Sequence, residues 1–120
     1  MQWHWRGVAM NVRDMIKSAQ KEIGAGSLVP QQAADLLMRL TALLGNINDE
    51  IREADALYAA VLLACLDSDE AANRAKIRAE TTPAYQRRRE ARDTKELAQE
   101  MIRALKYFMR SAEEEMRLSR

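Results

Sequence analysis

The chain has 120 residues and a formal net charge of +1, and 48% of its residues are hydrophobic while 31% are charged. That length allows one modest hydrophobic core, and the balance of apolar and charged residues excludes a fully disordered chain. No apolar run approaches the ~20 residues that span a bilayer, and the start lacks the apolar core of a signal peptide. We therefore expect a cytoplasmic protein with no membrane partner. The scarcity of glycine and proline favours helix nearly everywhere.

The first nine residues, MQWHWRGVA, contain both tryptophans and the single histidine. One histidine makes a poor metal site, and Trp3 and Trp5 belong to no helical stripe. The tripeptide WRG can be encoded by bases that include GGAGG, the sequence that bacterial ribosomes recognise ahead of a start codon, and Met10 follows after a suitable gap. We expect residues 1–9 to be a mis-assigned start or a disordered leader, and residues 10–120 to form a single helical domain.

A first, short helix is predicted after Asn11, a residue type that caps helix N-termini. Apolar residues then recur at the spacing of one helix face. They are Val12, Met15, Ile16, Ala19 and Ile23. Gly24 and Gly26 supply a stop signal. A helix this short needs something to pack against its apolar face.

A much longer helix is predicted from about residue 30 to residue 67, with Pro30 in its first turn and Ser27 as a possible cap. Its apolar residues hold a seven-residue register in three rows. The rows are Ala33, Leu40, Ile47, Ala54 and Val61; Leu37, Leu44, Ile51, Tyr58 and Cys65; and Leu36, Leu43, Leu57 and Ala64. Because the register passes through Gly45 without a phase slip, we favour one continuous helix, with a break near Gly45 as the alternative.

The other predicted helices are shorter than this one, so part of its apolar surface is left for another copy of the chain or for another protein. We therefore expect a homo-oligomer formed through the long helix. The predicted interface residues are Leu40, Leu44, Ile47, Ile51 and Tyr58.

The rest of the chain, after residue 67, is also predicted to be helical. Ser68 or Asp69 is placed to cap a helix that Thr82-Pro83 interrupts, because the residue before proline is pushed away from helical angles. A short basic helix, AYQRRREAR, is expected next. The segment DTKE then predicts a new start near Asp93, and a helix of about residues 94–118 follows. Its apolar stripe consists of Leu97, Met101, Leu105, Phe108, Ala112 and Met116.

These elements predict an all-α fold. We expect a helical bundle of three to four helices, built on a long antiparallel helical hairpin of residues 30–67 and 94–118. The basic segment crosses between the two long helices.

Charge is segregated along the chain. Residues 46–70 carry seven acids against one arginine, and residues 74–92 carry seven basic residues against two acids. The basic segment can contact the phosphates of a nucleic acid and stack a base on its tyrosine, or it can pair with the acidic segment. The candidate nucleic-acid-binding residues are Lys76, Arg78, Tyr85, Arg87, Arg88, Arg89 and Arg92. We favour a basic face that is solvated or paired within the chain, because three consecutive arginines spread around a helix and cannot all face one partner.

Two pairs of acids lie at the i, i+3 spacing of one helix face: Glu50 with Glu53, and Glu90 with Asp93. This arrangement resembles the ExxE…ExxD pattern of all-helical nucleotide pyrophosphatases of the MazG type. The resemblance covers these four residues. It implies that they would be ligands of Mg²⁺ and that the protein would hydrolyse a nucleotide.

The segment NRAKIRAETTPAYQRRREA and the tail RDTKELAQEMIRALKYFMRSAEEEMRLSR resemble small all-helical proteins encoded in bacteriophage and prophage genomes. That resemblance covers about residues 70–120, implies a phage context and transfers no functional residue. The sequence has no glycine-rich phosphate loop, no Cys/His metal spacing and no Ser/His/Asp set.

We therefore expect a non-enzymatic, oligomeric interaction protein without a cofactor, in which residues 74–92 are the candidate contact with nucleic acid. The first alternative is an inhibitor or adaptor that binds a host protein through an apolar helix face. The second alternative is the Mg²⁺-dependent nucleotide hydrolase.

Overall fold

A computed structural model describes residues 28–68 and 71–119 of the chain, together with positions 14, 17, 18, 21 and 24–26. The two long described ranges contain three α-helices: α1, Pro30–Leu66; α2, Ala72–Glu80; and α3, Pro83–Leu118. α1 and α3 pack antiparallel as a long hairpin, and the short α2 joins them and packs mainly on α1. The predicted all-α hairpin is confirmed. The leader at residues 1–9 and the apolar stripe between residues 12 and 23 lie outside the described residues.

α1 is a single helix of 37 residues, so the continuous alternative is confirmed and the chain does not break at Gly45. Pro30 occupies the first turn, and the backbone N–H of Val29 donates to Gln32 Oε1 at 3.3 Å. Four of the five residues in the first predicted row are completely buried: Ala33, Leu40, Ile47 and Ala54. The seven-residue register therefore identified the face of α1 that packs on α3.

α2 begins at Ala72, after Ala71 as its N-cap, and not at the predicted cap Ser68. The Ser68 hydroxyl instead donates to the Cys65 carbonyl at 2.6 Å and so closes the last turn of α1. Ala75 and Ala79 are the buried residues of α2, whereas Ile77, the one large apolar residue of this helix, is exposed. Small side chains thus let α2 approach the rest of the fold closely.

α3 runs without interruption from Pro83 to Leu118, so the predicted separate basic helix and the predicted start at Asp93 are wrong. A buried seven-residue row continues through this region: Ala84, Ala91, Ala98 and Leu105. Thr94 is completely buried in the same region, and its hydroxyl donates to the Glu90 carbonyl at 2.8 Å. The hydroxyl is thereby satisfied inside the helix, where the sequence suggested a cap.

The hairpin has two unlike halves. The main apolar core joins the first half of α1 to the second half of α3, and it contains Leu28, Ala33, Leu40, Ile47, Ala98, Met101, Ile102 and Leu105. In the other half, the buried apolar residues of the two long helices are three alanines and a tyrosine: Ala54, Tyr58, Ala84 and Ala91. We call the end of the hairpin where α2 lies the closed end. The end where Leu28 meets the last turns of α3 is called the open end.

The chain is extended, with a radius of gyration of 19.5 Å, against about 14 Å for a compact chain of this length. Large apolar side chains are exposed near both ends of the hairpin and at Met38 in between. They are Val29, Leu57, Leu63, Leu66, Ile77, Tyr107, Met116 and Leu118. Exposed apolar residues in this number indicate that the protein binds a partner. None of the helices described is long and apolar enough to cross a membrane.

Candidate functional site

The acidic and basic segments meet across the hairpin, in its closed half. Three acids on α1 face three arginines on α3, and we call this group the ion-pair cluster. Its members are Glu50, Glu53, Asp55, Arg87, Arg88 and Arg92. The antiparallel packing of α1 and α3 brings together two charged stretches that are more than thirty residues apart in sequence.

Arg87 and Glu50 form the buried centre of the ion-pair cluster. Glu50 is 3% exposed, and both of its carboxylate oxygens accept hydrogen bonds from Arg87, one from Nε and one from Nη2 at 2.7 Å. Arg87 Nη2 also lies 3.3 Å from Glu53 Oε2. These hydrogen bonds and the negative charges raise the pKa of Arg87 above its ordinary value, so this guanidinium stays charged at any physiological pH.

Asp55 binds the other two arginines of the cluster. Arg88 Nε donates to Asp55 Oδ1 at 2.9 Å, and Arg92 Nη2 donates to the same oxygen at 3.1 Å. The Arg88 guanidinium also lies 4.8 Å from the ring centroid of Tyr58, and the Tyr58 ring packs on Tyr85 at 5.5 Å between centroids. Arg88 therefore combines an ion pair with a cation–π contact.

The structure separates the predicted nucleic-acid-binding residues into two groups. Arg87, Arg88 and Arg92 bind carboxylates of α1, and Tyr85 packs on Tyr58. The other three are exposed: Lys76, Arg78 and Arg89. The favoured alternative was a basic face that is either solvated or paired within the chain, and for Arg87, Arg88 and Arg92 the structure shows pairing.

The four acids of the pyrophosphatase resemblance are not gathered into one site. Glu50 and Glu53 both bind Arg87, which takes the oxygens that a magnesium ion would need. Glu90 and Asp93 are exposed on α3. Within the part of the chain that the structure describes, no three His, Cys, Asp or Glu side chains are grouped so that they could hold a metal ion.

The five predicted oligomer-interface residues are packed inside the hairpin of a single chain. Leu40, Ile47 and Tyr58 are buried, and Leu44 and Ile51 are partly buried against the same core. The second half of α3 shares one core with Leu40 and Ile47, and the first turns of α3, which begin at Pro83 and not near residue 94, bring Tyr85 onto Tyr58. The prediction of an interface at these positions is therefore corrected, since a second copy has no access to a side chain already packed on α3.

A groove of about 540 Å³ lies at the open end of the hairpin. Apolar side chains from the start of α1 and the end of α3 line it, with Glu115 and two serines among them. The apolar lining residues are Leu28, Pro30, Phe108, Ala112 and Met116. Three of these, at positions 108, 112 and 116, belong to the apolar stripe predicted for the last helix. The sequence did not indicate that α1 leaves this part of the stripe uncovered.

The register of the hairpin explains why the groove is open. The contacts of Glu50 with Arg87 and of Tyr58 with Tyr85 place Pro30 opposite residues 107–113 of α3. About one to three turns at the end of α3 therefore extend beyond the start of α1. Met101 is buried and Met109 is packed on the core, whereas Met116, one turn beyond Ala112, is 63% exposed.

No protein-family model matches the chain, and neither a curated protein nor a solved structure is significantly similar to it.

Proposed function

We propose that the protein is a non-enzymatic helical interaction protein whose open-end groove binds an amphipathic helix of a protein partner. The observation that carries the proposal is the groove itself, an apolar surface between two helices that ends in the exposed Met116. Apolar helix faces commonly bind in such grooves. Methionine side chains suit this role because they adapt to the shape of what they contact.

The charge around the groove defines the kind of helix it fits. Glu115 is the acidic residue among the described residues that line the groove. Negative charge at the rim favours a partner helix that flanks its apolar face with lysine or arginine. The resemblance to phage proteins makes a host protein the expected partner, and a second copy of the chain is the homo-oligomeric alternative.

Protein binding is preferred to nucleic-acid binding because most of the basic segment is engaged within the chain. Arg87, Arg88 and Arg92 would have to leave Glu50 and Asp55 before they could contact phosphate. Leaving Glu50 buried without its arginine is costly. The groove is open to solvent, and binding there leaves every ion pair of the cluster intact.

The proposal is tested with two matched variants, Met116→Glu and Met38→Glu. Both methionines are exposed, 63% and 73% respectively, but only Met116 lines the groove. A tagged chain is used to capture proteins from bacterial lysate in high salt, captured proteins are identified by mass spectrometry, and light scattering measures self-association. We expect Met116→Glu to abolish capture of a specific protein that the wild type and Met38→Glu both retain.

Two results would contradict the proposal. Capture that is equally strong with Met116→Glu would place the binding surface elsewhere on the chain. Capture that is lost in high salt or after nuclease treatment would point to nucleic acid instead, because phosphate contacts weaken steeply with salt. A wild-type oligomer that Met116→Glu converts to a monomer would identify the partner as a second copy.

A further inference from the structure

A second surface of α3 carries exposed charge, on a side of the helix that belongs neither to the groove nor to the ion-pair cluster. Arg103, Lys106, Tyr107 and Arg110 are all exposed there, and we call them the cationic face. At about 100° per residue, the four positions fall within a sector of about 100° around the helix, opposite the buried Leu105. The cationic face extends for about 10 Å along the helix axis.

The three cations of this face have no partner within the described chain. None of them forms an ion pair or a side-chain hydrogen bond with a residue that the structure describes. Residues 30–48 of α1 contain one acid, Asp35, and it pairs with Arg39 at 3.0 Å. Cations three or four residues apart on a helix repel one another weakly. The ion pairs that stabilise the hairpin therefore leave this charge available to an external anion.

Tyr107 lies among these cations and is 73% exposed. Arg103 precedes it by four residues and Arg110 follows it by three, so both are its neighbours on the helix surface. In the closed half of the hairpin the same residue types contact each other inside the fold, where the Arg88 guanidinium lies 4.8 Å from the ring centroid of Tyr58. On the cationic face, an aromatic ring and two guanidinium groups are exposed to solvent instead.

We propose that the cationic face binds single-stranded nucleic acid, with the cations on successive phosphates and a base stacked on Tyr107. A single strand supplies both groups together, since its phosphates are regularly spaced and its bases have free faces. A duplex offers phosphates but keeps its bases stacked on one another, so the exposed ring favours an unpaired strand. An acidic peptide would neutralise the cations but would bring no base to the ring.

This binding activity is additional to the proposed protein-binding function. Ala112, in the groove lining, is about 180° around α3 from Arg103, so a protein helix and a nucleic-acid strand can bind at the same time. The cationic face also lies outside residues 74–92, the basic segment that the sequence suggested for this role.

The test measures the fluorescence anisotropy of a labelled single strand of about 12 deoxyuridines, titrated with the full-length protein. Three phosphate contacts predict that log affinity falls with log salt concentration at a slope of about −2. Lys106→Gln combined with Arg110→Gln should weaken binding at low salt at least about tenfold and reduce the steepness of that slope by about 1.4. The control, Arg39→Gln combined with Arg52→Gln, removes the same charge from exposed ion pairs of α1 and should leave the affinity within about twofold of the wild type.

The role of the tyrosine ring is tested with two substitutions at one position. Tyr107→Ala should weaken binding at least about fivefold, because stacking on a base is lost, whereas Tyr107→Phe keeps the ring and should retain the affinity. A duplex of the same length should bind more weakly than the single strand. The same strand made of uridines distinguishes RNA from DNA, and a preference for either one supports the proposal.

The proposal is overturned if the single strand does not bind at low salt, or if the variant of the cationic face binds it as tightly as the control variant does. An unchanged affinity of Tyr107→Ala, or a duplex bound as tightly as the single strand, would also overturn it. Tighter binding of a polyglutamate with the same number of charges would identify an acidic protein as the partner instead. Met116→Glu should bind the strand as the wild type does, so the groove can fail as a binding site without affecting this result.

Discussion

Arg87 on α3 binds both carboxylate oxygens of Glu50 on α1, and this salt bridge lies in the helix–helix interface of the hairpin. Glu50 is seven residues from Leu43 and from Leu57, so it occupies a position of the heptad pattern that otherwise carries leucine. Arg87 is likewise seven residues before the buried Thr94. A buried charged pair of this kind specifies register, because sliding either helix by one turn would leave a buried charge without its partner.

Removing one member of this pair is expected to destabilise the fold. Arg87→Ala leaves the buried Glu50 carboxylate uncompensated, and we expect a loss of about 2–4 kcal/mol in the free energy of unfolding, less than for a fully buried pair because Arg87 is partly exposed. The measurement is chemical denaturation followed by circular dichroism. Arg52→Ala is the control, since the Arg52–Asp49 pair is exposed at 2.8 Å and should contribute less than about 1 kcal/mol. Equal losses in both variants would contradict a special role for Glu50.

The two glycines at positions 26 and 45 should respond in opposite directions to alanine. Gly45 lies inside α1, and a Cβ built there has no atom within 4 Å, so Gly45→Ala should stabilise the fold by about 0.5–1 kcal/mol. Gly26 has a φ of +70°, so Gly26→Ala should destabilise it by about 1 kcal/mol. Thermal melts of the two variants beside the wild type measure both effects. A destabilising Gly45→Ala would mean that α1 bends or opens at this position in solution.

The long hairpin could be predicted because a seven-residue register of large apolar side chains is visible in the sequence of α1. The same register in α3 is carried by Ala84, Ala91 and Ala98, and alanine also occupies exposed positions in this chain, such as Ala59 and Ala60, so the sequence could not identify it. The capping sequence at Asp93 therefore led to the prediction of a new helix start, because the alanine row gave no strong sign of a continuous helix. Packing on α1 stabilises α3 as one continuous helix, in which Thr94 is buried and does not act as a cap.

The candidate sites were only partly predictable for the same reason. Segregated charge indicated that the basic segment pairs with the acidic one, but which arginine meets which acid depends on the antiparallel register, as Arg87 and Glu50 show. The groove depends on where α3 begins. A helix that starts at Pro83 covers Ile47 and leaves its own last turns, with Met116, beyond the start of α1.

Truncating a buried leucine of α1 should destabilise the fold far more than truncating an exposed methionine of the same helix. Leu40 is completely buried, whereas Met38, two residues earlier, is 73% exposed. We expect Leu40→Ala to cost about 2–5 kcal/mol through lost apolar contact and the cavity left behind, and Met38→Ala to change stability by less than about 0.5 kcal/mol. Denaturant titrations of the two variants provide the comparison. A small effect of Leu40→Ala would place the buried row of α1 on the wrong face.

Variants of the neighbouring residues Arg88 and Arg89 test whether the basic segment stabilises the fold or binds nucleic acid. Arg88 binds Asp55 and stacks on Tyr58, so Arg88→Glu sets two acids against each other and should cost about 1–3 kcal/mol of stability. Arg89 is exposed, and Arg89→Glu should leave stability within about 0.5 kcal/mol of the wild type. Thermal melts measure this difference.

Binding of the same two variants to DNA is measured by a mobility-shift assay at low and at near-physiological salt. Because the ion-pair cluster engages most of the basic segment, we expect the wild type to lose any DNA shift at the higher salt, as non-specific phosphate contacts do. A shift that persists in salt and is abolished by Arg89→Glu, a variant whose fold is intact, would instead restore the nucleic-acid interpretation. It would also place the contact on the face of α3 that points away from Asp55.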